Sequence, residues 1–388
     1  MKYYYSNPNL NFSVFLKALF GNSKNSEFKI KQYFSTLTGK KYILITNSCR
    51  SALFLAFQAI KVKGEVITSP LTCKVAIDPI KESDNIPIFS DVNTSDLNIN
   101  TKDIENRISN KTIAIQAIHM GGISCKMDHI RKITKNYNLW LIEDCAQSLG
   151  TKYNGQYTGS FGDIACFSLS KNAYGIGGGI LATNSKKIYT QVSSKLKTLG
   201  YEKKSVIYIR ILRNILETYR NKPCGSILYN LFLKLKGNRK RYTNIKSQLK
   251  QISPCQLKIN YLQILRSKEL HNKRKTIGEL YYKLLNKNHL MINNNYDPKV
   301  SSFTKIFLYH PKINTIDTIK KLHKMKIEAM HLEHKLGSPY QQKLINEKTA
   351  SNLGLKQYLK IHDHVISLPL QEEFNNKDII YITDSLKK

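Results

Sequence analysis

Acidic side chains are the first shortage in this chain. Its 388 residues hold 27 Asp and Glu against 61 Lys and Arg, a formal charge of +34. Such a field draws phosphates, nucleic acid or an anionic membrane surface. Lys, Asn and Ile are abundant throughout, so compositional bias supplies much of the charge, and the charge chooses no function. Groove-reading motifs are missing as well, which sets nucleic-acid binding aside. Long apolar runs are absent: nothing approaches the roughly 18 uninterrupted apolar residues that cross a bilayer. The opening Met1-Lys2-Tyr3-Tyr4-Tyr5-Ser6-Asn7 lacks the apolar core of a secretion signal, so a cytoplasmic location is expected. Close cysteine pairs are lacking too. The seven cysteines (Cys49, Cys73, Cys125, Cys145, Cys166, Cys224 and Cys255) are odd in number and scattered. That argues against a disulfide framework and a zinc site, and no metal is expected. Most read as small buried thiols. There is no internal repeat and no low-complexity tract.

What is present is an apolar content of 41%, enough for a hydrophobic interior, in a chain long enough for about two domains. Short β-rich runs recur at Tyr42–Thr46, Glu65–Thr68, 86–92, Thr112–Ile118, 139–143, Ile164–Ser168 and Gly179–Thr183, with helical patterns such as 51–60 and Met127–Asn136 between them. Strand and helix alternating this often predict an α/β fold, a mainly parallel sheet between helices. Ligands in such sheets bind beyond the strands' C-terminal ends. A different texture follows at 201–250: thirteen Lys and Arg against two acids, Glu202 and Glu217, with aliphatics interleaved. One or two basic amphipathic helices are expected there, broken near Pro223 and Gly225. A long helix to about residue 285, a strand at Ile306–Tyr309 and a helix at 317–325 suggest a smaller α+β domain. The expected division is 1–200 for the large domain with an N-terminal arm, 201–250 for the insertion, and 251–388 for the small domain.

Three segments carry chemistry. In Ile142-Glu143-Asp144-Cys145-Ala146-Gln147-Ser148 an acid ends an apolar strand and faces the crevice. Pyridoxal phosphate (PLP) needs such a carboxylate beside its ring nitrogen, to keep the pyridinium protonated as an electron sink. An Asp there is equally able to cap the next helix. The second segment runs from Gly159-Ser160-Phe161-Gly162 to Ser168-Leu169-Ser170-Lys171-Asn172, then Gly175-Ile176-Gly177-Gly178-Gly179. A partly desolvated Lys171 in this setting becomes nucleophilic, and Ser168 offers a hydroxyl to a phosphate. Alone, S-x-x-K is weak, since most lysines are solvated. The third is Thr46-Asn47-Ser48-Cys49-Arg50-Ser51-Ala52-Leu53, a strand-to-helix turn with free N–H groups suited to phosphate and Arg50 for a bidentate contact. A Ser-capped helix with one exposed Arg is the plain alternative.

In order and spacing these segments resemble the DegT/DnrJ/StrS family of PLP-dependent sugar aminotransferases, a branch of the aspartate-aminotransferase fold (fold-type-I PLP transferases). The likeness runs from about residue 42 to 183 and resumes more weakly from 252. It extends to Gly64-Glu65-Val66-Ile67-Thr68-Ser69-Pro70, Phe89-Ser90-Asp91-Val92, Leu97-Asn98-Ile99, His119-Met120-Gly121-Gly122 with Met127-Asp128, and Ile366-Ser367-Leu368-Pro369-Leu370. The resemblance implies roles. Lys171 would carry the cofactor as a Schiff base and shuttle a proton, and Asp144 would pair with the ring nitrogen. Gln147 would sit beside the ring's phenolic oxygen or the substrate. Ser168 with Cys49, Arg50 and Ser51 would hold the phosphate. It also implies glutamate as donor, a nucleotide-linked keto-sugar as acceptor, and a homodimer whose subunits complete each other's sites.

Four departures mark this chain. Cys49-Arg50 replaces the usual Gly-Thr; Thr72-Cys73 stands where an aromatic residue often stacks on the ring, placing Cys73 at the cofactor. The Ser168–Lys171 gap is about two residues short, and the Gly-x-Asn-x-Arg stretch is unrecognisable around 242–250. His331 and His334 fall near a family histidine but read as a surface helix. The dehydratase branch of the fold has His in place of the Schiff-base lysine, and Lys171 opposes it. A degenerate, non-catalytic member kept for partner or membrane-surface binding is the rival from another class. Segment 201–250 is expected to contact an anionic membrane near a lipid-linked pathway; a lid or dimer-packing insertion competes with that reading.

Overall fold

The computed structural model describes residues 3, 8–20, 25–220, 222–236, 244–286, 300–309, 314–331 and 351–386. Strands β1 (Tyr42–Thr46), β2 (Glu65–Thr68), β3 (Ile86–Phe89), β4 (Thr112–Ile118), β5 (Trp140–Asp144), β8 (Ile164–Ser168) and β9 (Gly179–Thr183) form one sheet in the order β1-β9-β8-β5-β4-β2-β3. Neighbours from β3 to β8 run parallel, and β9 lies antiparallel between β8 and β1. Strands β8 and β9 are buried along their whole length, as a sheet covered on both faces requires. The helix Cys49–Ala59 packs on one face with Leu44, Ile142 and Leu181; Phe34, Phe167 and Ile180 pack on the other.

Two strand boundaries differ from expectation. The run expected at 86–92 stops at Phe89, because Asp91 turns its carboxylate onto the N–H groups of Gln357 and Tyr358 (both 2.8 Å), opening the helix Lys356–Ile361. The run at 139–143 shifts one residue, making Asp144 the last residue of β5. Between β5 and β8 lies an unexpected ribbon, β6 (Lys152–Tyr153) and β7 (Gln156–Tyr157). Its turn, Asn154-Gly155, has φ of 47° and 80°, the two-residue turn that Asn-Gly favours.

The helix Pro254–Asn286 is a spine shared by two cores. Leu257 and Ile264 pack beneath the large sheet, while Ile277, Tyr281 and Leu285 pack beneath a small antiparallel one. That small sheet orders β10 (Ile306–Tyr309), β12 (Val365–Leu368) and β11 (Met330–His331), with β12 central. Residue 331 therefore belongs to a strand rather than the expected surface helix, and His334 lies outside the described residues. In the basic segment the helices are Lys204–Thr218 and Pro223–Lys236, packed on each other. The break precedes Pro223, and Gly225 lies inside the second helix. A β-carbon at Gly225 would stand 2.0 Å from the Tyr219 carbonyl oxygen, so the glycine permits the two helices' close approach. Among the described residues no helix is long and apolar enough to cross a membrane.

Candidate active site

The C-terminal ends of β1, β4, β5 and β8 open into one cavity of about 730 Å³. Lys171, Asp144, Gln147, Ser168, Cys49, Arg50 and Cys73 all line it. Ser51 does not. Its hydroxyl is turned back to Asn47 Oδ1 and Ser48 Oγ, both at 2.8 Å, where it supports the helix start. The N-cap itself is Ser48: extended at φ −164°, it accepts the Ser51 N–H at 3.1 Å. The cap thus points the first N–H groups of Cys49–Ala59 at the crevice. Strand β9 passes so near that a β-carbon on Gly179 would lie 2.4 Å from the Cys49 nitrogen. Only glycine fits there.

Asp144 is buried at the end of β5; its Oδ1 accepts the Ala146 N–H at 3.0 Å. Burial pushes its carboxyl above the ordinary value, while Lys171, the Ala146 N–H and His119 pull the other way. Its neighbour Glu143 faces the opposite side of the strand and is saturated. It accepts the N–H groups of Gly159 (2.7 Å), Phe161 (2.8 Å) and Gly162 (2.5 Å), and meets His119 Nε2 at 3.2 Å. Burial raises the Glu143 carboxyl, but His119 and these N–H groups outweigh it, and the net shift is downward. The Cys125 N–H donates to His119 Nδ1 at 3.1 Å, which assigns the ring proton to Nε2 and the donation to Glu143. Ligand atoms of His119, Glu143 and Cys145 lie within 4.8 Å of one another, yet the two ring nitrogens and both carboxylate oxygens are already committed to hydrogen bonds, so the trio reads as structural.

Lys171 stands in a tight turn after β8, closed by Gly175 N–H to the Leu169 carbonyl (2.6 Å) and Tyr174 N–H to the Lys171 carbonyl (3.0 Å). The next residue, Asn172, anchors that turn. Its amide nitrogen donates to Ser302 Oγ (2.9 Å) and the carbonyls of Gln147 and Leu149 (both 3.3 Å). Its Oδ1 accepts from Thr304 Oγ1 (2.7 Å) and Arg274 (3.1 Å), and its main-chain oxygen meets His271 Nε2 at 2.7 Å. Arg274 in turn forms a buried ion pair with Glu372, which also accepts from Tyr174 Oη and from Asn9 Nδ2 (2.6 Å). Tyr174 adopts φ 55°, an unusual value for a bulky residue, and its ring lies 5.0 Å from the Arg274 guanidinium.

Sequence reading did not single out Ser48, Asn172, Arg274 or Glu372. A helix-capping position before Cys49 was the available signal for Ser48; the other three meet only through the fold. Ser170 also lines the cavity, with its hydroxyl 3.2 Å from that of Ser168. Cys73 lies at the start of the helix Lys74–Glu82, beside Thr72. From the basic segment, Tyr201, Glu202, Lys203, Val206 and Arg210 line the cavity, and Arg210 pairs with Glu202 at 2.7 Å.

A buried carboxylate and a lysine at the ends of adjacent parallel strands, with a helix N-terminus across one cavity, suit PLP. The donor set matches the group's parts: an amine for its aldehyde, an acid for its ring nitrogen, N–H groups with Arg50 and Ser168 for its phosphate. Fold and site together define a fold-type-I PLP-dependent aminotransferase. The chain belongs to the DegT/DnrJ/EryC1/StrS aminotransferase family, whose model matches residues 20–387. It is 28% identical to an uncharacterized protein of Methanocaldococcus jannaschii over 93% of this chain and 89% of that one. It is 36% identical to GDP-perosamine synthase of Escherichia coli O157:H7 over 42% of this chain and 45% of that enzyme. The fold is shared with NtdA of Bacillus subtilis, solved with bound PMP, at a TM-score of 0.74 and 19% identity over 97% of this chain and 82% of that one.

Proposed function

We propose that the protein transfers an amino group from glutamate to a nucleotide-linked keto-sugar, for surface polysaccharide or glycolipid synthesis on the cytoplasmic side. The observation that carries this reading is the shared cavity of Lys171 and Asp144. PLP, when bound, supplies an electron sink for the carbon whose proton is moved. Lys171 is the group that holds and returns that proton. Asp144, buried at the end of β5, would keep a proton on the ring nitrogen. Gln147, whose Oε1 accepts the Gly121 N–H at 3.3 Å, is fixed beside the ring or substrate. Ser168, Arg50 and the Cys49 and Ser51 backbone retain the phosphate, and Cys73 borders the ring.

None of the four sequence departures removes Lys171 or Asp144 from the cavity, so a binding-only role has no support in the site. The relative named for GDP-perosamine synthesis supports a nucleotide-sugar acceptor. A homodimer is proposed, with residues 1–200, 201–250 and 251–388 as cofactor-binding unit, insertion and small domain. Purified protein mixed with PLP is expected to develop an absorbance band near the visible edge that Lys171→Ala abolishes. Turnover of glutamate with a keto-sugar should fall by at least about 10³-fold in that variant. PLP binding without the band, or a band retained by Lys171→Ala, overturns the reading.

A further inference from the structure

The helical pair in the basic segment has its apolar side chains turned the wrong way for a water-solvated surface. The helix Lys204–Thr218 buries Ile207 and Ile211 against Leu10, Val14 and Ile259. Its other side still exposes Tyr208, Ile209 and Leu212. On Pro223–Lys236 the exposed aliphatics are Ile227, Leu228, Leu231, Leu233 and Leu235, with Ile227 at 69% and Leu235 at 80% exposure. Leu228, Leu231 and Leu235, at offsets of one, four and eight residues, share with Ile227 a stripe about 100° wide, and Leu233 lies off it. A helix in water carries polar residues on such a stripe.

Charge says what covers it. From residue 219 to 250 the sequence holds nine Lys and Arg and no acid at all. A two-fold contact between copies through this helix, whose charged residues are Lys234 and Lys236, would set like charges against each other. An anionic bilayer satisfies both features at once: headgroup phosphates for the cations, and the acyl boundary for the leucine stripe. Long lysine stems can lie along apolar surface while their ammonium groups reach headgroups.

We propose that the exposed face of the hairpin 204–236 docks on an anionic membrane surface, with Ile227, Leu231 and Leu235 inserted at the headgroup boundary. Because Tyr201, Glu202, Lys203, Val206 and Arg210 line the active-site cavity, docking holds that cavity next to the bilayer. The proposal does not rest on the transamination reading; it stands or falls on the hairpin alone.

The test uses the full-length, PLP-loaded protein and vesicles of equal parts phosphatidylglycerol and phosphatidylcholine. Wild type is expected to sediment with these vesicles and not with phosphatidylcholine alone. The Ile227→Ser, Leu231→Ser, Leu235→Ser triple variant should bind at least tenfold more weakly, since each loses buried apolar area. Replacing Lys234 by Gln should weaken binding roughly fivefold at low salt. A Leu235→Trp variant adds a second indole besides Trp140, and its emission should shift to the blue on the anionic vesicles. Equal sedimentation of the triple variant and wild type would assign binding to diffuse charge and overturn the proposal. So would a wild type that does not sediment, an unshifted Leu235→Trp emission, or a triple variant whose oligomeric state changes in gel filtration. The last outcome would place the stripe between copies.

Discussion

The turn that carries Lys171 and the hairpin 204–236 are built on opposite rules. Around the turn, polar groups are buried and matched one by one: Asn172 alone engages Ser302, Thr304, Arg274, His271 and two main-chain carbonyls. On the hairpin, apolar groups stand outward, from about two-fifths to four-fifths exposed. Buried polar networks are expensive to leave half-made, so they hold a single geometry. Exposed aliphatics constrain the monomer little. The first region is organised for positional accuracy, the second for an encounter.

Mutations that remove one partner separate the two regimes. Arg274→Met leaves Glu372 as an uncompensated buried charge and should destabilise by about 4 kcal/mol in urea unfolding. A loss near zero would show that water reaches Glu372. Glu143→Gln replaces one of the two accepting oxygens by a donor, so that either the Gly159 N–H or those of Phe161 and Gly162 lose their acceptor, and should cost about 3 kcal/mol by the same measurement. Retention of wild-type stability would refute the saturated-carboxylate account.

A smaller effect is expected from pH. His271 is depressed from its ordinary 6.5 to about 4, first by burial and then by Arg274, against the pull of the Asn172 carbonyl and Glu372. Between those values the unfolded chain binds a proton that the folded chain refuses. Stability from this group is therefore complete above about 6.5 and is lost as pH falls toward 4. In His271→Gln the melting temperature should decline less steeply across that window; identical profiles would count against it. The smallest effect belongs to the hairpin. Leu235→Ser should change unfolding free energy by no more than about 0.5 kcal/mol, as at any exposed site. A larger drop would mean that the stripe is covered within the protein.

The contrast also marks what could be read in advance. Strand periodicity and the chemistry at strand ends are local, so the bounds of β1, β2, β4, β8 and β9 are legible to the residue, and seven of the groups expected at the cofactor line one cavity. The Asn154-Gly155 turn was equally local, but its strands of two residues are too short to show alternation. Long-range pairing leaves no such trace. Arg274 and Glu372 are separated by 98 residues, and Asn9 and Glu372 by 363. Nothing in their neighbourhoods distinguishes them from the many charged residues around them. The helix expected from Ser51 begins two residues earlier, at Cys49, with Ser48 as its cap.

Glu372 gathers Asn9, Tyr174 and Arg274 from three well-separated stretches of one polypeptide. During synthesis the large sheet can assemble once its strands have emerged from the ribosome, long before residue 372 is made. The turn bearing Lys171 cannot acquire its final tether until then. Completion of the turn is thereby deferred until residue 372 has been made, and a nascent chain stalled short of that glutamate would hold a folded sheet with the turn untethered.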